Sequence, residues 1–350
     1  MIVGGGLTGL CIAYLLRNEP YNLRIVEARG RLGGRILTKE KKGLAPIEMG
    51  ATWLQTFHSS LIGLLEEFNI YLFEHRVGAK AIYEPTKSAA AQLVSLPPNA
   101  SPSFRIEGGT QVLIDHLSKV LNPKHVYLNQ KLLSIGSEQD GLLIKCEDLV
   151  IKASRVISTL PPYLFAKNIS VKPKLDANFY KVALRTHTWM GESIKIGLNY
   201  STAFWREGNL TGTIFSNVGP IQEMYDHSNR KNNLFALKGF VHSEFYSLTK
   251  AERLKLVLEQ LEKYYGKQVH SYAHYEEKLW RSEVHTFSDY EHPVAAHENN
   301  GHPVFQVSYL NGRLFIAGAE TASAYPGYME GAIRSAQFVS QQILDVGINS

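Results

Sequence analysis

Cysteine is nearly missing: Cys11 and Cys146 are the only two in 350 residues. One lies in an apolar helical stretch and the other in an alternating strand pattern. Two such thiols allow no disulfide framework, suggest no metal site, and point to a reducing compartment such as the cytoplasm. Long apolar runs are missing too. No stretch of 18 or more apolar residues occurs, so no membrane span is expected. No charged start leads into an apolar stretch and a small-residue cleavage site, so no secretion signal is expected. The pattern Asn-x-Ser/Thr occurs at Asn99, Asn168, Asn199 and Asn209, and without a secretion signal these read as chance matches. There is no long basic run and no internal repeat. A net charge of +5 spread along the chain argues against nucleic-acid binding.

What is present is apolar patterning and glycine. Hydrophobic residues make up 44% of the chain, enough for a core and for two intertwined domains. The chain opens with a short apolar strand, residues 1–3, and Gly4-Gly5-Gly6-Leu7-Thr8-Gly9. A helical pattern follows with Leu7, Leu10, Cys11, Tyr14 and Leu15 on one side, then a strand over 23–26 ending in Glu27. Strand, glycine turn, helix, strand and acid make a dinucleotide-binding unit. Gly4 permits the tight turn, Gly6 lets backbone approach a pyrophosphate, and Gly9 lets the helix pack on the strand. The helix N-terminus, with Leu7 and Thr8, offers unpaired N–H groups to the phosphates. A carboxylate at Glu27 can accept both hydroxyls of a ribose and disfavours a 2′-phosphate, hence NADP. Further on, the spacing predicts helices over 60–68, 110–121 and 328–344, and strands over 126–128, 142–146, 155–158, 195–198, 233–241 and 314–317. Pro161-Pro162 stops the strand before it. Thr249 with Glu252 forms a capping box for a helix turning Leu254, Val257, Leu258 and Leu261 inward. Residues 76–103 show no clear period.

Glu27-Ala28-Arg29-Gly30-Arg31-Leu32-Gly33-Gly34-Arg35 resembles the E-A-x-x-R-x-G-G-R pattern of FAD enzymes in the amine oxidase and protoporphyrinogen oxidase superfamily. Gly33-Gly34 brings bare backbone near the cofactor, and Arg31 and Arg35 can lie against the diphosphate or flavin edge. The likeness continues along nearly the whole chain. Glu48-Met49-Gly50-Ala51-Thr52-Trp53 resembles the segment beside the isoalloxazine, and Phe104 to Gly109 the strand and glycine pair that re-enter the FAD domain. His125-Val126-Tyr127-Leu128-Asn129 resembles the segment whose backbone, at Val126, holds the adenine. Arg155 to Pro162 resembles a V-I-x-x-x-P-P strand end. Arg313 to Ala322 and Gly327 to Ala332 are similar to the family's R-I-x-F-A-G-T-E-T-A and G-Y-M-E-G-A blocks. They imply Gly318 and Glu320 near the ribityl or phosphate region, and a helix starting near Met329 that aims its N–H groups at the flavin N1 and C2=O.

On the reacting side, Met190-Gly191-Glu192-Ser193-Ile194-Lys195 resembles the M-G-x-x-x-K block, whose lysine reaches flavin N5 through a water. Burial should lower the pKa of Lys195. Phe204-Trp205 matches an F-W pair, expected to pack. Tyr275-Glu276-Glu277-Lys278-Leu279-Trp280 resembles the Y-E-E-K-x-W stretch of monoamine oxidases, with Trp280 at the cofactor. Counting on without gaps implies Tyr290 as one wall of an aromatic amine cage and Tyr328 as the other. The same count puts Asp289 where mitochondrial monoamine oxidases link their flavin to cysteine, which implies non-covalent FAD. The fold implied is α/β: a Rossmann-like FAD-binding domain of glutathione-reductase type (1–75, 104–185 and 282–350) interleaved with a smaller α+β substrate domain (76–103 and 186–281). The activity implied is oxidation of a small amine to an imine, then to an aldehyde or ketone, with O2 reduced to hydrogen peroxide. Family members carry a long helical insert where this chain has only about 74–103. The lid is therefore reduced or comes from a partner subunit, and the oligomeric state, a homodimer included, stays open. The missing mitochondrial-type C-terminal tail implies a soluble protein. Two other readings remain: a desaturase or porphyrinogen-type oxidase on the same fold, and a non-catalytic FAD-binding protein, which the short interval supports.

Overall fold

Short, mostly apolar runs of two or three residues bounded by turns build the first sheet. In the computed structural model, which describes residues 1–97 and 101–348, it has six strands in the order Val126–Tyr127, Ile25–Val26, Ile2–Val3, Val156–Ser158, Leu314–Ile316 and Ser308–Tyr309. The first five run parallel, and the last pairs antiparallel. Parallel strands are covered on both faces and read as unbroken apolar runs. Accordingly Ile2, Ile25, Val156 and Leu314 are buried. One face packs on the helices Leu7–Leu15 and Met329–Ile348 through Leu10, Ile12, Ile333 and Ala336. The other packs on Phe165, Phe179 and their neighbours. The first helix differs from expectation: Leu7 to Tyr14 are all buried and Leu15 is exposed. It is enclosed nearly all round rather than one-sided, because the last helix covers the side a surface helix would show to water.

The second sheet has seven strands, His274–Leu279, Ile194–Tyr200, Phe235–Val241, Ile221–Asp226, Ile214–Ser216, Lys80–Glu84 and Gln92–Ser95 in spatial order. All come from residues 80–95 and 194–279. The stretch 76–103, without period in sequence, thus supplies two strands. Lys80–Glu84 is half-covered on both faces and Gln92–Ser95 is an exposed edge, so neither shows clean alternation. Thr249 and Glu252 do form the capping box, and the helix Lys250–Tyr265 buries Val257, Leu258 and Leu261. Between Ile221 and Glu223 the pairing with Val241 and Phe240 slips by one residue, leaving Gln222 as the extra residue of a β-bulge. Asn99 lies outside the described residues. Among those described, no helix is long and apolar enough to cross a membrane.

Candidate active site

The glycine turn and the arginine–glycine loop meet backbone to backbone. Gly6 and Gly33 form a parallel bridge, and Gly33 donates to the Gly5 carbonyl at 2.8 Å. Gly34 has φ +56°, and a Cβ there would stand 3.1 Å from the Gly6 Cα. A Cβ on Gly9 would overlap the Gly4 carbonyl oxygen, so the helix rests on the strand only because that position is bare. Gly6 has open space instead, its nearest outside atom 3.8 Å from an added Cβ. That space is a cavity of about 390 Å³, lined at this end by Gly6, Leu7, Thr8, Gly33, Arg35 and Thr159. The first helix has no side-chain cap, so its first N–H groups are free for an anion. A second cavity of about 100 Å³ is lined by Glu27, Ala28, Arg29, Lys131 and Leu132. The two share Gly6, Thr159, Pro161 and His285. The result is an elongated groove with a carboxylate at one end and a helix N-terminus midway, a shape and donor set that fit a flavin dinucleotide.

The acidic and basic residues of the groove divide their work. Glu27 is buried and accepts from the backbone N–H of Gly5 at 2.7 Å and of Arg29 at 2.8 Å. Four lone-pair sites on a carboxylate leave room for a hydroxyl. Arg29 pairs with Glu283 at 2.9 Å and lines the smaller cavity. Arg31 turns away from both cavities and holds the carbonyls of Leu32, Gly34 and Ile36 in its own loop. Arg35 lines the larger cavity and is fixed by a two-pronged pair with Glu320 at 2.5 and 2.7 Å. Glu320 therefore acts through Arg35 and also accepts from the Trp189 N–H. Gly318, at φ +142°, donates its N–H to Ser335 and shapes the turn that carries Glu320. Val126 is an outer strand of the six-stranded sheet beside Ile25, and residues 130–132 line the cavity in its place.

Lys195 comes from the buried strand Ile194–Tyr200 and lines the large cavity opposite the glycine turn. Its Nζ donates to the Gly50 carbonyl at 2.6 Å. Burial pulls its pKa down to about 8, with Glu48 and Glu223 opposing. Gly50, Ala51, Thr52 and Trp53 line the same wall, and Trp280 joins them by donating from its indole to the Met49 carbonyl at 2.7 Å. Behind this wall stands a second lysine. Lys238 is fully buried, donates to Thr52 Oγ1 at 2.9 Å, and lies 3.8 Å from the centre of the Trp53 ring. Burial holds its ammonium well below the usual lysine range, with Lys195 pushing the same way.

At the mouth, Tyr328 and Met329 line the cavity where the last helix begins. Tyr328 is 42% exposed, so it is no buried structural tyrosine. Its neighbours are Trp189, with ring centres 5.9 Å apart, and His297, which stacks on Trp189 at 4.0 Å. Tyr290 goes elsewhere: its hydroxyl accepts from the Thr188 N–H at 2.8 Å and its ring packs on Tyr163 and Phe287. It does not line the cavity, and Trp189 stands beside Tyr328 instead. A gapless count along the loop after Trp280 could not foresee that turn. Asp289 points outward to Arg281 at 2.7 Å. Met190, His297 and Tyr325 all hold positive φ around this mouth, a conformation that costs a non-glycine residue and clusters at functional sites. Sequence reading missed Thr159, Trp189, Glu223, Phe240 and His285 in the lining. Thr159 and Trp189 carried a signal, the first inside the Arg155–Pro162 block and the second abutting the Met190–Lys195 block.

Residues 78–344 match the family described as flavin containing amine oxidoreductase, and residues 2–68 match the NAD(P)-binding Rossmann-like domain. The chain is 29% identical over 254 residues to a probable flavin-containing monoamine oxidase A of Dictyostelium discoideum, a match that covers 70% of this chain and 54% of that protein. It is 27% identical to a putrescine oxidase of Kocuria rosea, covering 99% of this chain and 95% of that one. Among solved structures, a putrescine oxidase bound to putrescine superposes with a TM-score of 0.84 at 22% identity, over 98% of both chains. A cyclohexylamine oxidase from Brevibacterium oxydans reaches 0.84 at 17% identity, over 99% of this chain and 98% of that one. These likenesses in structure show the fold.

Proposed function

The chain belongs to the family of flavin containing amine oxidoreductases, and from that premise we propose that it oxidises a small amine to an imine using non-covalent FAD, with O2 as electron acceptor. The observation that carries this reading is Lys195, a buried lysine facing the glycine turn across one cavity. Gly6, Leu7, Thr8, Arg35 and the 50–53 wall would hold FAD, and Glu27 with Ala28 and Arg29 its nucleoside end. When bound, FAD supplies the two-electron acceptor for the amine Cα–H and the donor to O2.

The chain's own residues orient the partners and manage charge. Tyr328 and Trp189 present ring faces at the mouth, where a neutral amine can be steered inward. The amine gives up a hydride equivalent from Cα and a proton from nitrogen. Water then hydrolyses the imine to a carbonyl compound and ammonia or an amine. Lys195, with its pKa near 8, holds an ammonium at neutral pH that stabilises negative charge arriving on O2, and can release a proton there. Two electrons and two protons take O2 to hydrogen peroxide. The absence of link is supported by Asp289, which is engaged with Arg281, and by Cys11 and Cys146, neither of which lines the groove.

Anaerobic mixing of the flavin-loaded protein with an amine panel tests the reading. Bleaching of the flavin by at least one amine is expected, and peroxide on admitting air. A flavin that no amine bleaches would favour the non-catalytic reading. Acid precipitation should leave free FAD in the supernatant.

A further inference from the structure

The two cavities of the groove meet between Gly6, Thr159 and Pro161 on one lip and His285 on the other. His285 belongs to a short bridge of chain. Its anchors, Trp280 and Phe287, are each 3% exposed, whereas none of residues 281–285 between them is buried and Val284 is 70% exposed. Apolar packing therefore fixes the ends of the bridge, and charge holds its middle. The Glu283 carboxylate accepts from Arg29 Nε at 3.0 Å, from Arg29 Nη2 at 2.9 Å, and from Lys278 Nζ. Arg29 Nη2 also donates to Thr286 Oγ1 at 2.7 Å. We infer that Glu283 is a positioning residue for the cofactor: it pins residues 281–286 as a clasp against the junction of the groove, and this clasp must release for FAD to enter or leave.

The pin joins the two sheets. Lys278 lies on His274–Leu279, an edge strand of the seven-stranded sheet, and Arg29 on the loop that leaves Ile25–Val26 of the six-stranded one. The Arg29 backbone N–H is itself held by Glu27 Oε1 at 2.8 Å. The clasp is thus tied to the carboxylate at the nucleoside end of the groove. Burial pushes the Glu283 carboxyl up, but the hydrogen bonds from Lys278 and Arg29 outweigh it and hold the group below the usual carboxylate range. Glu283 stays charged, and both of its partners are cations, which strengthens each bond. All of these bonds run between residues of the chain, so the pin holds with the groove filled or empty. An ionic pin also suits a part that opens. The side chains of Glu283 and Lys278 are each 23% exposed, so water solvates them as the bridge lifts and offsets much of the lost attraction. An apolar pin would gain nothing from that exposure.

The inference rests on the flavin reading of the groove and not on the oxidation of amines, since only FAD binding is read. Flavin-loaded wild type and Glu283→Gln are each exchanged against isotopically labelled FAD for the dissociation rate, and dialysed to equilibrium for Kd. Glutamine keeps the shape but removes the charge. The dissociation rate should rise by about 10-fold while Kd changes less than about threefold, because losing a charged hydrogen bond from the clasp lets FAD in faster as well as out. Lys278→Met, which leaves Arg29 in place, should raise the rate by about threefold. Glu283→Asp, which keeps the charge, should fall between wild type and Glu283→Gln. Lys152→Gln breaks an exposed ion pair with Glu138 on another sheet and should leave the rate unchanged. The gap between wild type and Glu283→Gln should narrow from about 50 to about 500 mM NaCl, since salt screens the pin and the variant has none. A dissociation rate that Glu283→Gln leaves unchanged would overturn the clasp. So would a Kd that weakens in step with the rate, which would make Glu283 part of the ordinary contact surface. In either case FAD still binds and the flavin reading stands. Wild-type protein that takes up no FAD at all would sink the flavin reading and the clasp with it.

Discussion

The two walls of the cavity are made by opposite means. The glycine wall is backbone: free N–H groups, bare Cα atoms and a loop zipped to a turn, with hardly a side chain needed. The sheet wall is charge: Lys195 and Glu223 among Trp53 and Phe240, with Lys238 behind them, carried by neighbouring strands of one sheet. The first wall tolerates no added atom at Gly4 or Gly9, whereas the second tolerates ionisable groups at a cost to stability. A dinucleotide calls for rigidity, and a reacting amine calls for protons and fields.

Substitutions can break this contrast. The largest effect is expected at Gly9. Gly9→Ala should lower stability by about 3 kcal/mol or more, since the new methyl meets the Gly4 carbonyl and the backbone has to move. Gly6→Ala has room and should fold with nearly wild-type thermal stability, yet bind FAD at least about 10-fold more weakly by fluorescence titration. Equal losses of stability in the two variants would show the turn to be one unit without division of labour. Next comes Lys195→Met, expected to slow reoxidation of the reduced protein by O2 by about 100-fold. In the wild type that rate should fall as pH rises through about 8, because the ammonium is present below and gone above. The limb should be flat in the variant, and a limb that persists would assign it to another group.

The sheet wall then offers a change of opposite sign. Lys238→Met should raise the melting temperature by a few degrees, since it replaces a buried group that can hold its proton only with difficulty. A drop in melting temperature would show the bond to Thr52 to outweigh that cost. The smallest effect is expected from Tyr290→Phe. It removes one acceptor from the Thr188 N–H, about 1 kcal/mol, and should change turnover less than about threefold. A large loss of kcat would return Tyr290 to the amine cage.

The contrast also explains which parts could be read from sequence. Gly4, Gly6, Gly9, Gly33 and Gly34 were legible because steric rules act on neighbouring residues. Lys195 was legible through its block, and the capping box of Thr249 and Glu252 through its spacing. Glu223 reaches the cavity, and Lys238 the layer behind its wall, through strand register and a one-residue bulge, which no local pattern announces. Tyr290 was misdirected by a count that assumed one path for the loop after Trp280. The loop instead seats the ring on Tyr163. Of the strands within 76–103, Lys80–Glu84 hid because one partner lies more than a hundred residues away, at 214–216, and Gln92–Ser95 because it is an exposed edge paired only with Lys80–Glu84.

The central strand Ile2–Val3 has a consequence in time. Its neighbours are Ile25–Val26 on one side and Val156–Ser158 on the other, which in turn leans on Leu314–Ile316. The glycine turn after Ile2–Val3 lies more than three hundred residues ahead of the helix Met329–Ile348 that packs on Leu10 and Ile12. At roughly 5–20 residues per second, the turn waits tens of seconds during synthesis for that support. The groove is thus completed only when the last helix is in place, and a nascent chain truncated before residue 314 should have no complete pocket to fill.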